Sequence, residues 1–205
     1  MKSFVFALGI ALFAPSLYAQ GKLQISPPPA WKDGWKLVSE QPGRGFRVLV
    51  FVPPADAAQP DASKDSVTIM ETLGWVQEEW VPKLYQAWGQ IVKKTCGGMF
   101  VGPLRATTED GFTIAYAQFY CPKRNGVDEG GVDLAKIMAS PAGAHLVVVG
   151  KRTAPFSSEV PGHISYANNA ETQAMFEWLK STNDYLFTSV RSCNDPSPLT
   201  MKCSK

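Results

Sequence analysis

PKLYQAWGQIVKKTCGGMFVGPLRATTEDGFTIAYAQFYC, the stretch from Pro82 to Cys121, decides the fold. Val81, Leu84, Tyr85, Trp88, Ile91 and Val92 recur at three- and four-residue steps, the stripe of an amphipathic helix, with Lys83, Gln86, Gln90 and Lys93 opposite. Pro82 suits the first turn, whose N–H groups have no intrahelical partner. Lys93 and Lys94 suit the last turn, beside exposed carbonyls, and Gly97-Gly98 supplies a residue free to take positive φ and stop the helix. The chain then runs through Met99-Phe100-Val101 to Asp110-Gly111, a two-residue hairpin signal. On the return strand Phe112, Ile114 and Tyr116 alternate with Ala115, Ala117 and Phe119. A two-residue turn at 110–111 sets Cys121 opposite Phe100. Cys96 then lies a short turn from Cys121, within disulfide reach.

The compartment follows from the other end of the chain. Lys2, the apolar run from Phe4 to Ala14 and the small residue Ala19 read as an export signal over residues 1–19, cleaved before Gln20. The run is shorter than the roughly 20 apolar residues of a spanning helix, so no stable membrane anchor is expected after cleavage. Residues 20–205 are expected to form a single domain. The whole chain carries 20 basic and 18 acidic side chains, with Lys2 the only charge in the signal. Such near-neutrality gives no reason to expect nucleic acid as a partner. Four cysteines in an exported chain favour disulfides over metal. Of three possible connectivities, spacing and hairpin register favour Cys96–Cys121 with Cys193–Cys203.

Along the rest of the chain, Pro27-Pro28-Pro29 before Trp31 reads as a stiff extended entry, a spacer rather than a ligand for a proline-reading groove. Residues Trp35–Val38 and Phe46–Val52 read as strands about a turn at Pro42-Gly43. Pro53 to Lys64 is an aperiodic loop, either an exposed connection or the rim of a site. Ser66 to Leu73 alternates as a strand, and Val132–Ala139 with Leu146–Arg152 form a second hairpin across Pro141-Ala142-Gly143. Asn168 and Glu171 open a last helix as a capping pair. Its stripe is Met175, Leu179, Thr182, Leu186 and Val190. Hairpin-length connections and few strands buried on both faces predict an α+β fold: an antiparallel sheet with a central helix and a C-terminal helix packed on it, tied by two disulfides.

Trp35, Phe51-Val52-Pro53, Ser66-Val67-Thr68, two paired cysteines about a hairpin and a C-terminal helix before another cysteine together resemble a group of small exported bacterial proteins of unknown function. The pattern is also similar to the PsbP/Mog1 type of α+β fold. The resemblance implies fold and export and carries no catalytic residues.

No catalytic constellation emerges. His145 and His163 stand alone, read as surface or edge residues, with neither metal spacing nor a Gly-x-Ser-x-Gly elbow. Glu78-Glu79 are adjacent and point apart, and acids there suit a helix N-terminus. Asp128-Glu129 sits in a turn, Lys151-Arg152 reads as a solvated strand end, and there is no Cys-x-x-Cys. No cofactor and no metal are expected. Tyr85 and Trp88 fall on the buried stripe. Trp75 and Trp80 flank the helix start, and tryptophan dominates binding hot spots, so these two are the binding candidates. The sequence therefore points to an exported, periplasmic, non-enzymatic binding, inhibitory or accessory protein of the cell envelope, its partner another envelope or secreted protein. The alternative is a periplasmic hydrolase whose site assembles only in three dimensions.

Overall fold

A computed structural model describes residues 22–31, 33–43, 45–72, 79–109, 112–140, 143–158 and 164–193. The export signal, Trp75, Glu78, His163, Leu73, the turn residues 110–111 and 141–142, and the Cys193–Cys203 pairing lie outside the described residues. The strands are β1 (Lys22–Gln24), β2 (Lys36–Gly43), β3 (Phe46–Val52), β4 (Asp65–Thr72), β5 (Phe100–Val101), β6 (Arg105–Glu109), β7 (Phe112–Cys121), β8 (Gly130–Ser140), β9 (Gly143–Thr153) and β10 (Arg191–Cys193). Helix α1 (Trp80–Thr95) lies between β4 and β5, and α2 (Asn169–Thr188) precedes β10.

Eight strands form one antiparallel sheet in the order β2-β3-β4-β9-β8-β7-β5, with β6 also paired to β7. The alternation along β7 sorts as its side chains dictate. Phe112, Ile114 and Tyr120 join the α2-side core with Leu134, Val147, Met175 and Leu186. Ala115, Ala117 and Phe119 join the α1-side core with Leu84, Val92, Ile137 and Val148. Each helix thus covers its own face. This corrects the expectation that few strands are doubly buried: residues 143–150 are buried without a break, because the sheet's centre lies between two helices rather than beneath one layer.

Three local readings are corrected. Helix α1 ends at Cys96, but in extended geometry (φ −118°, ψ 129°) rather than on a left-handed Gly97 or Gly98. Its last carbonyls are taken up by Asn125, whose N–H meets Thr95 O at 2.8 Å and whose Nδ2 meets Lys94 O at 3.3 Å. Gly126 (φ 77°) provides the left-handed step in that capping turn. The β6–β7 ladder keeps the two-residue-turn register from Glu109↔Phe112 to Arg105↔Tyr116. Phe100 then pairs with Tyr120 instead of Cys121, a one-residue slip across the segment holding Pro103, which has no N–H to hold the ladder. Pro42-Gly43 belongs to β2, and the turn falls one step later, with Gly45 at φ 80°.

The Cys96–Cys121 disulfide is formed, with Cα atoms 5.6 Å apart. It ties the end of α1 to β7. The entry segment is docked, not a free spacer: Trp31 N–H closes a turn on Pro28 O at 2.8 Å, Trp31 is buried in the α2-side core, and Tyr185 Oη donates to Ser26 O at 2.6 Å. Strands β1 and β10 then pair as a separate two-stranded ribbon. On α2, Asn168 Oδ1 accepts from Ala170 N–H at 2.8 Å, and Met175, Leu179, Thr182, Leu186 and Val190 are all buried, as their spacing predicts.

Candidate functional site

The α1 face carries an open cleft of about 470 Å³. Trp88, Ile91, Val92 and Thr95 of α1 form one wall, and Val38, Ser39, Gln41, Val50 and Val52 of β2 and β3 contribute another. The floor is the sheet itself, with Phe119, Asp133, Gly150 and Ser66. Pro60, Asp61, Ser63 and Lys64 close the remaining side. The aperiodic loop is therefore a rim: two 3-10 turns, Pro54–Asp56 and Pro60–Ala62, hold it, and Ser63 Oγ donates to Asp56 Oδ2 at 2.6 Å. The lining is mixed, apolar on α1, β2 and β3 and charged at the rim and strand ends, in a cleft of the size that admits a small ligand.

Its floor follows from strand register. Phe119 pairs with Asp133, Asp133 with Gly150, and Gly150 with Ser66, one row across β7, β8, β9 and β4. Gly150 has no side chain, so the row has a gap. A Cβ placed there would stand 2.8 Å from Asp133 Oδ1 and 3.1 Å from Ser66 Oγ. Two polar groups therefore crowd the place a side chain would take, and glycine is what the row admits there. The other carboxylate oxygen, Asp133 Oδ2, accepts from Trp88 Nε1–H at 3.0 Å.

Burial pushes the Asp133 pKa up to about 6, against the opposing effects of the Trp88 hydrogen bond and the Arg124 charge. A carboxylate held above its ordinary range by burial beside a cleft marks a candidate functional site. Lys64, Arg124, Lys151 and Arg152 also line the cleft, against Asp61 and Asp133 as its acids. Arg124 Nη1 lies 3.3 Å from Glu129 Oε2, and an Arg152 guanidinium nitrogen donates to Asp61 O. Lys151 Nζ turns to Asp65 Oδ1 at 3.0 Å and to the Trp178 ring of α2, so its charge serves the opposite face. The Lys151-Arg152 pair is held within the fold, not left to solvent.

Among the candidates from sequence, Trp80 is half-buried at the first turn of α1, against the α1-side core and 5.6 Å from Lys83 Nζ, two turns away from the cleft residues. Trp88 is both core and cleft wall, and the Tyr85 ring meets Phe119 at a tilt, centroids 5.4 Å apart. Ile91 is 44 % exposed instead of buried on the stripe, because it stands at the cleft mouth.

His145 is a buried residue, correcting its reading as surface. Its Nδ1 lies 2.9 Å from Ser192 Oγ of β10, and burial lowers its pKa. It shares the face of Val147 and Val149, opposite Asp133, so imidazole and cleft carboxylate do not converge. Glu79 pairs with Lys83 at 3.3 Å, and Asp128 with Lys123 at 3.4 Å. Also on the α2 face, Lys136 is fully buried, donating to Val190 O at 2.7 Å with Glu109 Oε2 at 3.7 Å. Its charge meets the carbonyl just past α2, a structural use of a lysine at a helix end. Among the described residues no group of three or more His, Cys, Asp and Glu side chains is placed to hold a metal ion, and no helix is long and apolar enough to cross a membrane.

Asp133, Ser66 and Gly150 went unread in the sequence. Two signals were there: a lone acid in Val132-Asp133-Leu134, and a lone glycine closing Val147-Val148-Val149. Glycine inside a strand often marks close approach of another group. No protein-family model matches this chain, and no curated protein matches it.

Proposed function

We propose that this chain is an exported, periplasmic, non-enzymatic binding protein, inhibitory or accessory to the cell envelope, whose recognition face is helix α1 and the cleft beside it. The observation that carries this reading is the cleft: apolar side chains of α1, β2 and β3 beside a shielded carboxylate, with neither histidine nor cysteine thiol among the described residues that line it. Recognition needs such a surface, whereas the hydrolytic alternative needs a nucleophile and base in contact. The described histidine, His145, does meet a hydroxyl, Ser192 Oγ at 2.9 Å, but both are buried on the other face, away from the cleft. Trp80, half-exposed on the same helix, extends the face toward its N-terminal end, with Trp75 preceding it in sequence. The partner is another envelope or secreted protein, and a Cys193–Cys203 bridge ties the C-terminal segment in that oxidising compartment. The PsbP/Mog1-like resemblance belongs to this proposal as a fold relationship only.

The test is capture from periplasmic extract with the tagged mature chain. Ile91→Arg changes an exposed residue at the cleft mouth and should abolish capture at unchanged melting temperature, with Trp80→Ala and Trp75→Ala weakening it. His145→Gln should leave it intact. Capture that survives Ile91→Arg and fails with folded His145→Gln would overturn the reading.

A further inference from the structure

The α2 face carries a second cavity, of about 440 Å³, where one edge of β7 loses its ladder. Strand β5 leaves β7 at Val101↔Phe119, and β6 takes it up again only at Arg105↔Tyr116, with Gly102 N–H alone reaching Gln118 O between them. Pro103 stands in that break, without the N–H a ladder needs. The end of α2 contributes Asn183 and Phe187 to the opposite wall. Direct pairing sets the side chains of Arg105 and Tyr116 on one face of the sheet, and Tyr116 packs on the α2-side core.

The chemistry of this cavity is one-sided. Arg105 is exposed, and among the described residues no carboxylate lies within ion-pair distance of it. No Asp or Glu is among the described residues that line the cavity. Lys136, next in the row after Tyr116, is already held by Val190 O and Glu109. Gln118 Oε1 accepts from Tyr120 Oη at 2.5 Å, which leaves its amide N–H groups to donate. The apolar wall is aromatic: Phe187, 51 % exposed, stacks on Tyr116 with centroids 4.1 Å apart. A single guanidinium with amide donors suits a singly charged carboxylate, whose two oxygens match its fork. The rings beside it suit a flat apolar body.

We propose that this cavity binds a small aromatic carboxylate, its ring against Phe187 and Tyr116 and its carboxylate on Arg105, with the Gln118 and Asn183 amides as further donors. The site lies on the opposite side of the sheet from the α1 cleft and is independent of the reading given to that cleft. A ligand without the charge leaves Arg105 unmatched, and one without the ring leaves Phe187 exposed.

The test titrates hydrocinnamate into the ¹⁵N-labelled mature chain, with hydrocinnamamide, which lacks the charge, and hexanoate, which lacks the ring, as counterparts. Hydrocinnamate should move the side-chain amide signal of Asn183, assigned through Asn183→Ala, saturably, and leave the Trp88 indole signal of the opposite face in place. Arg105→Gln, at an exposed position, should weaken binding about fivefold, as for loss of an exposed ion pair, and the amide counterpart should show the same loss. Arg105→Lys should fall between, keeping the charge without the fork. Phe187→Ala and the hexanoate probe should each weaken binding by a similar factor. Melting curves establish that each variant is folded. Equal binding of hydrocinnamamide or hexanoate, unchanged binding in folded Arg105→Gln, or movement of the Trp88 signal in place of Asn183 would overturn the proposal. So would the absence of saturable movement at about 20 mM hydrocinnamate, above the millimolar affinity expected of so small a ligand.

Discussion

Trp88 on α1 donates its indole N–H to Asp133 on β8 at 3.0 Å, joining helix to sheet at the floor of the cleft. The bond stabilises the ionised carboxylate, yet the Asp133 pKa remains about 6 against an ordinary 3.8, because desolvation outweighs it. The sign of the consequence is definite. Between about pH 4 and pH 6 the folded chain holds a proton there that the unfolded chain has released, so this group's contribution to stability falls as pH rises through that window.

Asp133→Asn should therefore stabilise the fold at pH 7.5 by on the order of 2 kcal/mol and have little effect near pH 4. Urea unfolding of both proteins at the two pH values measures it. A variant less stable than wild type at pH 7.5 would mean that Asp133 contributes net favourable interactions as an anion.

His145 works in the opposite direction. Its pKa is lowered by burial, so below the ordinary imidazole range near 6.5 the unfolded chain takes up more protons and stability is lost as pH falls. His145→Gln should flatten the acid side of the stability curve while costing some stability at pH 7.5 through the Ser192 contact. The same unfolding series between pH 7.5 and 5 reads both slopes.

Cys96 and Cys121 close a loop of 25 residues, worth roughly 3 kcal/mol in the chain-entropy account. Cys96→Ser with Cys121→Ser should lower the melting temperature by about 10 °C. Non-reducing peptide mapping should recover Cys96 linked to Cys121 and Cys193 linked to Cys203. A Cys96–Cys193 peptide would contradict both pairings.

Lys136 separates charge from packing. Lys136→Ala should cost about 3 kcal/mol, from the void it leaves and the Val190 carbonyl left without its donor. Lys136→Met fills most of the void and should cost only about 1 kcal/mol. Equal losses would place the stabilisation in the hydrogen bond alone.

What the sequence made legible was local. The α1 and α2 stripes, the alternation of β7 and the 109–112 register are each written within twenty residues, and side-chain periodicity reads them directly. The cleft is not local. Ser66, Asp133 and Gly150 come from three strands, and only the pairing of β4, β9 and β8 puts them in one row. Nor does a helical stripe say where the covering face ends: Ile91 has the spacing of a core residue and stands at an open mouth, while Trp88 three positions earlier serves core and cleft together. The histidine was misjudged for a related reason, since His145 is buried by β10, a strand of three residues that no period announces.

The central claim is that partners meet the α1 face. Ile91 on α1 and Phe176 on α2 are equally exposed at 44 % and lie on opposite sides of the sheet. A photoreactive benzophenone side chain introduced at each position in turn, and irradiated in living cells, compares the two faces directly. The account predicts a covalent adduct from position 91 and none from position 176. An adduct from position 176 with none from position 91 would contradict it.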